Sequence, residues 1–361
     1  MNKQNKNNFK AIDFFCGTGG MTYGMSQAGI DVLAGIDIDP NCRETYKINN
    51  PKPKFIETDV HKLSEKKLVK LTGIKKNDNS LVFICCSPCQ YWTQINTIKK
   101  KSLKSKELLK EFQRFVSWFK PGYLVIENVP GLLKNKKEKI LSEFLEFLEN
   151  ESYVFDHKII NANHYGVPQH RKRFLLIATR VSKSIQIPEG EYDENLILRN
   201  YIGVHNGFPA VEDGHKDKTE FMHSTASLSE KNKKRIRKTP KNGGIRLSWK
   251  DDPELQIDAY RGKDNIFKDV YGRMFWDKPA PTITTRFNSL SNGRFGHPEE
   301  PRAISLREGA ILQSFPRTYV FKGPNEASIT RQIGNAVPPE LAKRIGYSIQ
   351  KNHGNQKNGT K

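Results

Sequence analysis

The sequence predicts an α/β fold, a mainly parallel sheet with helices on both faces, joined to a second domain of different character. Three observations predict it. Short β-rich apolar runs alternate with helical patterns from Ala11 to Thr179, which is the rhythm of a doubly wound sheet. That rhythm stops near residue 180, and Gly, Pro, Asn and charge dominate to Pro301, with turn signals at Asn242-Gly243-Gly244 and Asn292-Gly293. Regular order returns at a capping box, Ser305-Leu306-Arg307-Glu308, and in a last helix after Pro338-Pro339 with Leu341, Ile345 and Ile349 on one face.

Taken in order, Ala11 to Phe15 reads as a strand, followed by a Gly-rich turn and a helix through Gln27. Asp31 to Ile36 is the second strand, and Asp39 and Pro40 then open a helix as N-cap and first helical residue. Lys54 to Glu57, Leu81 to Cys85 and Gly122 to Ile126 read as strands, with helices around Ser64 to Leu71 and Lys106 to Phe119. Val154 to Ile160 and Arg173 to Thr179 close the series. The expected organisation is residues 1–180 plus 330–350 as one domain, 181–329 as a second domain with its connecting helix, and 351–361 as a disordered tail without apolar periodicity.

Composition narrows the function. The 361 residues hold 60 Lys+Arg against 39 Asp+Glu, a formal charge of +21. A polyanionic partner, most simply nucleic acid, explains that excess, and a solvated lysine-rich surface is the alternative. Mean hydropathy is −0.67, and no apolar run approaches the roughly 18 residues of a spanning helix. The Lys/Asn-rich start, Met1 to Lys10, lacks an apolar signal region. All five cysteines lie before residue 90. An odd, clustered set of this kind fits a reducing, cytoplasmic location better than a disulfide framework.

The residues able to carry chemistry lie at strand ends, where an open α/β sheet binds ligands. Phe15, Gly17, Thr18, Gly19 and Gly20 form a turn at which a nucleotide-like ligand could approach, or an ordinary tight turn. Thr22 occupies the place of the third glycine of a dinucleotide fingerprint, which counts against an oxidoreductase. Asp37, ending the next strand, suits ribose hydroxyls, and Asp59 suits an adenine amino group or is an exposed acid. Cys86 and Cys89 make one C-x-x-C; without a second pair zinc is not expected, and after the fourth strand the motif comes late for a thioredoxin-like redox disulfide. Cys89, behind the rigid Pro88, is then a nucleophile or an inert thiol. Glu127 follows apolar Leu124, Val125 and Ile126 and reads as a general acid or a loop cap. Gln169, Arg171 and Arg173 would share one face of a strand, aimed into a cleft or lying along a solvated edge.

In this order the motifs resemble those of the DNA cytosine-5 methyltransferases, the bacterial restriction-modification type especially. The resemblance rests on Phe15 to Gly20, Pro88-Cys89-Gln90, Glu127-Asn128-Val129, Gln169-x-Arg171-x-Arg173, the helix between Arg302 and Pro316, and Gln332 to Pro338. It implies a Rossmann-like methyltransferase fold dependent on S-adenosylmethionine, with a smaller target recognition domain between about Val181 and Pro301. It further implies Cys89 as the nucleophile that adds to cytosine C6, Glu127 as the proton donor at N3, Arg173 at the O2 side of the ring, and Arg171 as a further catalytic residue. The cofactor would meet Phe15, Gly17, Thr18, Gly19, Gly20, Asp37, Ile38, Asp59, Val60, Pro88, Leu108, Asn335 and Val337.

A cytosine inside a duplex must be extruded to react, so the implied partner is double-stranded DNA, bound by a monomer, with a cognate restriction endonuclease on the same site. Lys231 to Lys250 holds nine Lys/Arg and no acid, and reads as a phosphate-facing surface or as solvated lysine. Lys234, Arg235 and Arg237 belong to it. Lys99, Lys100, Lys101, Lys104 and Lys106 follow the Cys89 loop. Arg273, Arg286 and Arg294 are candidates for guanine contacts, and Gln90, Thr93 and Thr282 for other DNA contacts. A tRNA methyltransferase on the same core and a non-catalytic DNA-binding regulator are the rival readings.

Overall fold

The structure is a computed structural model that describes residues 9–88, 99–134 and 139–358. It divides into two bodies. The first comprises Met1–Asn161, Lys172–Glu191 and Val337–Lys361; the second comprises Ala162–Arg171 and Tyr192–Ala336. The sequence-based boundary at 180 therefore moves to 191, and ten residues before the last strand pass to the second body.

The first body is built on seven strands: β1 Lys10–Phe14, β2 Asp31–Asp37, β3 Lys54–Glu57, β4 Leu81–Cys85, β5 Tyr123–Asn128, β6 Val154–Asn161 and β7 Lys172–Thr179. They lie in the order β3-β2-β1-β4-β5-β7-β6. Strands β1 to β5 are mutually parallel, and β7 runs antiparallel to both neighbours. The central strands are uninterrupted apolar runs, such as the wholly buried Leu81-Val82-Phe83-Ile84-Cys85 of β4, as expected where both sheet faces are covered. Strand order reverses around β1, the switch point at which such sheets bind ligands.

Helices α1 Gly20–Gln27, α2 Arg43–Asn49, α3 Glu65–Thr72, α4 Lys99–Phe119, α5 Gly131–Lys134 and α6 Ile140–Asn150 connect these strands. Asp39 caps the 3-10 turn Pro40–Cys42 by accepting from Asn41 N, and Ser64 caps α3 by accepting from Lys67 N. α4 begins seven residues before the expected Lys106. Its Phe112, Phe115 and Phe119 pack on Phe14 and Phe83 with ring centroids 5.0–6.4 Å apart, an aromatic cluster within the buried core. α6 lies outside the expected elements, although Leu141, Phe144 and Leu148 mark its buried face.

The expectation of a disordered tail from 351 is corrected for residues 351–358. Helix α10, Pro339–Asn358, closes the first body. Its packing explains the extension: His353 Nδ1 lies 2.9 Å from Tyr123 Oη and its ring stands edge-on to Phe9. At the other end α10 lies against α1, where a Cβ on Gly24 would sit 2.2 Å from Pro339 O. Only glycine allows that approach.

The second body holds three α-helices, α7 Glu230–Lys238, α8 Leu306–Leu312 and α9 Glu326–Asn335, among turns and short 3-10 segments. So little regular structure leaves many carbonyls without a ladder partner, and buried carbonyls need donors. Buried arginines supply them, because one guanidinium carries five N–H groups. Arg273 donates to the carbonyls of Thr239, Ile236, His297 and Glu300. Arg246 serves those of Lys263, Ile266 and Phe267, and Arg307 those of Glu220, Phe221 and Tyr319.

The capping box of α8 forms as expected and is joined to a buried ion-pair network. Arg302 donates to both oxygens of Glu308 at 2.7 and 2.9 Å. His297 Nε2 faces Glu300 and Glu308 at 3.4 and 3.7 Å, while its Nδ1 accepts from Glu300 N. Burial pushes the His297 imidazole down to about 4. An unfolded histidine titrates near 6.5, so the neutral ring's contribution is fully present above that pH and is lost as pH falls toward about 4. The second body is therefore expected to lose about 3 kcal/mol of stability between pH 7 and 4 from this group. His297→Gln should flatten that part of a denaturant-melt profile, and an unchanged slope in the variant would contradict the assignment.

Candidate active site

The loop after β1 is shaped by backbone conformations that favour glycine. Gly17 and Gly19 have φ of +50° and +90°, and Phe15 is itself left-handed at +63°. Gly19 is the N-cap of α1, and a Cβ there would lie 2.4 Å from Asn50 Nδ2 and 2.9 Å from the Tyr46 ring. A Cβ on Gly17 would meet nothing within 4 Å among the described residues. One glycine thus serves packing, and the other leaves the loop open. Gly19→Ala is expected to cost about 2–4 kcal/mol of stability through strain and overpacking, whereas Gly17→Ala, left-handed but unobstructed, should cost only the strain, about 1–2 kcal/mol. Thermal melts of the two variants check both.

Acids stand at or just beyond the ends of the next two strands, and the first of them holds this rim. Asp37 accepts from Gly17 N at 2.7 Å through one oxygen and from Asp39 N at 2.9 Å through the other. Burial raises its pKa despite those donors. Ile38 follows with 63% of its surface exposed, an apolar side chain offered to solvent beside the loop. Asp59 caps the 3-10 turn Val60–Lys62 and accepts from His61 N and Nδ1, and the His61 side chain holds its carboxyl below the ordinary range. Beneath the loop, Asp13 is fully buried and accepts from Thr22 Oγ1 at 2.7 Å; burial pushes it up to about 7.

On the other side of the switch point, Asn128 Nδ2 donates to Ser87 Oγ at 3.2 Å, tying the exit of β5 to that of β4. Glu127, buried at the carboxyl end of β5, has Arg173 Nε 2.9 Å from its Oε1. The contact is an ion pair rather than an aligned hydrogen bond, since that oxygen finds no well-directed donor. Strand direction creates it: β7 is antiparallel, so its amino end, with Arg173, meets the carboxyl end of β5. Two residues 46 positions apart become neighbours for that reason.

The sequence from residue 9 to 351 matches the family model of the C-5 cytosine-specific DNA methylases. The chain belongs to that family. The methylase is similar to a type II methylase, M.HgiDII of Herpetosiphon aurantiacus, at 37% identity, covering 94% of each chain. It is also 32% identical to the type II methyltransferase M1.HphI of Haemophilus parahaemolyticus, covering 96% of this chain and 87% of that one. Among solved structures the fold matches a candidate DNA modification methyltransferase encoded within an Escherichia coli prophage. The TM-score is 0.71 at 21% identity, covering 96% of this chain and all of that one. The Schizosaccharomyces pombe Dnmt2 methyltransferase matches with a TM-score of 0.61 at 18% identity, covering 97% and 99%. The methylase is thus a DNA cytosine-5 methyltransferase on a Rossmann-like fold, and its family takes the methyl group from S-adenosylmethionine.

Within the methylase the expected site residues separate. Phe15, Gly17, Thr18, Gly19, Gly20, Asp37, Ile38, Asp59, Val60, Pro88, Glu127 and Arg173 all lie at strand exits or the β7 entry of the first body, where Leu108 packs on the core and Val337 is buried. Asn335 is exposed at the end of α9 in the second body. Cys89, Gln90 and Thr93 lie outside the described residues.

Arg171, expected among the catalytic residues, is packed within the second body. It is 2% exposed, and its guanidinium binds the carbonyls of Ile283, Gly334 and Ala336. Gln169 is likewise buried, on Leu312 O and Gln313 Oε1. The alternation that would align these residues with Arg173 fails because β7 begins only at Lys172.

The expected DNA contacts divide in the same way. Arg235 and Arg273 are buried, Arg235 donating to Leu255 O, Gln256 O and Asn232 Oδ1 and Arg273 to four backbone carbonyls. Arg294 is bound to Asp269, Gly243 O and Arg273 O, and Thr282 Oγ1 donates to His170 O. Lys234 pairs with Glu254. Across the basic run, Lys233, Lys238, Lys241 and Lys250 also meet acids brought from elsewhere in the fold. Arg237 and Arg286 are exposed and, among the described residues, have no acidic partner.

Proposed function

We propose that the methylase modifies one cytosine within a specific duplex sequence, after extruding it from the helix, through a covalent adduct between Cys89 and C6. The pairing of Glu127 with Arg173 at the carboxyl edge of the sheet is the observation that carries this reading. Cytosine C5 is a poor nucleophile. Addition of the Cys89 thiolate to C6 moves the ring electrons toward N3, where Glu127 delivers a proton, leaving an enamine that is nucleophilic at C5. Arg173 steadies Glu127 and meets the O2 side of the ring. S-adenosylmethionine, when bound, supplies an electrophilic methyl group. Loss of the C5 proton and of the Cys89 sulfur as thiolate, with the N3 proton returned to Glu127, restores the aromatic ring.

The open face of Gly17, the carboxylate of Asp37 and the exposed Ile38 fit the methionine, ribose and adenine parts of that cofactor in turn, and Asp59 and Val60 fit the adenine edge. The names of the relatives support a restriction-modification role, with a cognate endonuclease acting on the same sequence; the enzyme would act as a monomer in the cytoplasm. Bisulfite sequencing of DNA from expressing cells would reveal the modified sequence, and label appearing in RNA instead of DNA would overturn the substrate. Glu127→Gln should lower the single-turnover rate by about 100-fold or more, the order of general acid catalysis, in a protein that still unfolds cooperatively although it has lost the Arg173 ion pair. A rate within a few-fold of wild type would remove Glu127 from the mechanism.

A further inference from the structure

We propose that Ile266 and Phe267 form a wedge that the second body inserts into the base stack of duplex DNA. The segment from Arg261 to Asp269 is exposed throughout except at Asp264. At its tip Ile266 and Phe267 are 49% and 59% exposed, side chains that ordinary folding would bury. Yet the segment is firmly held. The buried Arg246 reaches up from beneath it and donates to the carbonyls of Lys263, Ile266 and Phe267 at 2.6–3.3 Å. Phe267 is kept at φ +53°, a left-handed conformation that persists only where its surroundings impose it. Its ring leans on Tyr260 at a centroid distance of 5.9 Å.

Charge selects the occupant. The acids of this segment are paired within the second body, Asp264 with Lys250 and Asp269 with Arg294, and its Arg261 pairs with Asp258 just before it. Lys263 and Lys268, which bracket the apolar pair, have no acidic partner among the described residues. A rigid apolar tip between two uncompensated ammonium groups is complementary to a stack of bases between two phosphate backbones. Apolar side chains inserted at a base step are an established means of unstacking and kinking a duplex. A protein partner would favour the apolar pair but not the two lysines, whose charge no acid among the described residues offsets, Lys263 donating only to Ala259 O.

The inference rests on duplex DNA being the substrate, and the test separates the two. The full-length protein is titrated with a duplex carrying the sequence mapped by bisulfite sequencing, with 2-aminopurine placed at one position at a time outside the target cytosine. Wild type should raise the fluorescence at one step. Phe267→Gly relieves the backbone strain, so the fold is retained; with Ile266→Ala it should abolish that signal and weaken binding about tenfold or more, the order of base–aromatic stacking. The slope of log K against log salt should not change, because no phosphate contact is removed. Lys268→Gln should instead reduce that slope by about one. Equal affinity and equal fluorescence in wild type and the double variant overturn the wedge, as does a variant whose only change is loss of self-association. A wild type that neither binds nor methylates the duplex overturns the substrate on which the wedge depends.

Discussion

Cys89→Ser is expected to abolish methylation while DNA affinity stays within a few-fold of wild type. A serine hydroxyl is a far weaker nucleophile than a thiolate at neutral pH, so addition to C6 would be lost although the side chain is nearly isosteric. Binding should survive, since contacts to phosphates and neighbouring bases do not involve the sulfur. A duplex with 5-fluorocytosine at the target gives a second readout. Fluorine at C5 cannot leave as a proton does, so wild type should be trapped on DNA as a species stable to denaturing electrophoresis, and Cys89→Ser should not. Turnover in the serine variant at a tenth of the wild-type rate or more would exclude Cys89 as nucleophile.

The largest expected effect on stability is that of Arg302→Met. Arg302 and Glu308 are both wholly buried and joined by two hydrogen bonds, with Glu300 and His297 alongside. Arg302 is the group that holds the Glu308 carboxyl far below its ordinary range against the opposing effect of burial. Removing it leaves a buried carboxylate, which also accepts from Ser305 N at the start of α8, without its countercharge. Breaking one side of such a pair costs about 3–5 kcal/mol. Arg302→Met/Glu308→Gln removes the stranded charge while keeping a capping amide, and should recover part of the loss. A double variant no more stable than the single one would mean that packing, not charge, dominates at this site.

The extent to which the chain was readable varies with the range of the forces involved. Strand β4 and its exit at Ser87-Pro88 are local in origin, since five successive apolar residues ended by proline allow little else. The capping box of α8 is equally local, set by Ser305 and Glu308 three positions apart. By contrast, Arg235 and Arg273 look like Arg286 in the sequence. Two of them are buried donors to backbone carbonyls and the third is exposed. The difference lies in which carbonyls the surrounding loops leave unsatisfied, and that depends on residues 20 to 37 positions away.

By itself the sequence determined the α/β architecture, the glycine loop and acids at its strand ends, and the family to which those motifs belong, because each depends on residues close together in the chain. Only the tertiary structure decided that β7 runs antiparallel and so delivers Arg173 to Glu127. It alone decided that Arg171 binds carbonyls in the second body, and that much of the acid-free basic run is matched by distant acids. Ion pairing and carbonyl satisfaction depend on distances of a few ångströms between chain segments, and sequence order does not record those distances.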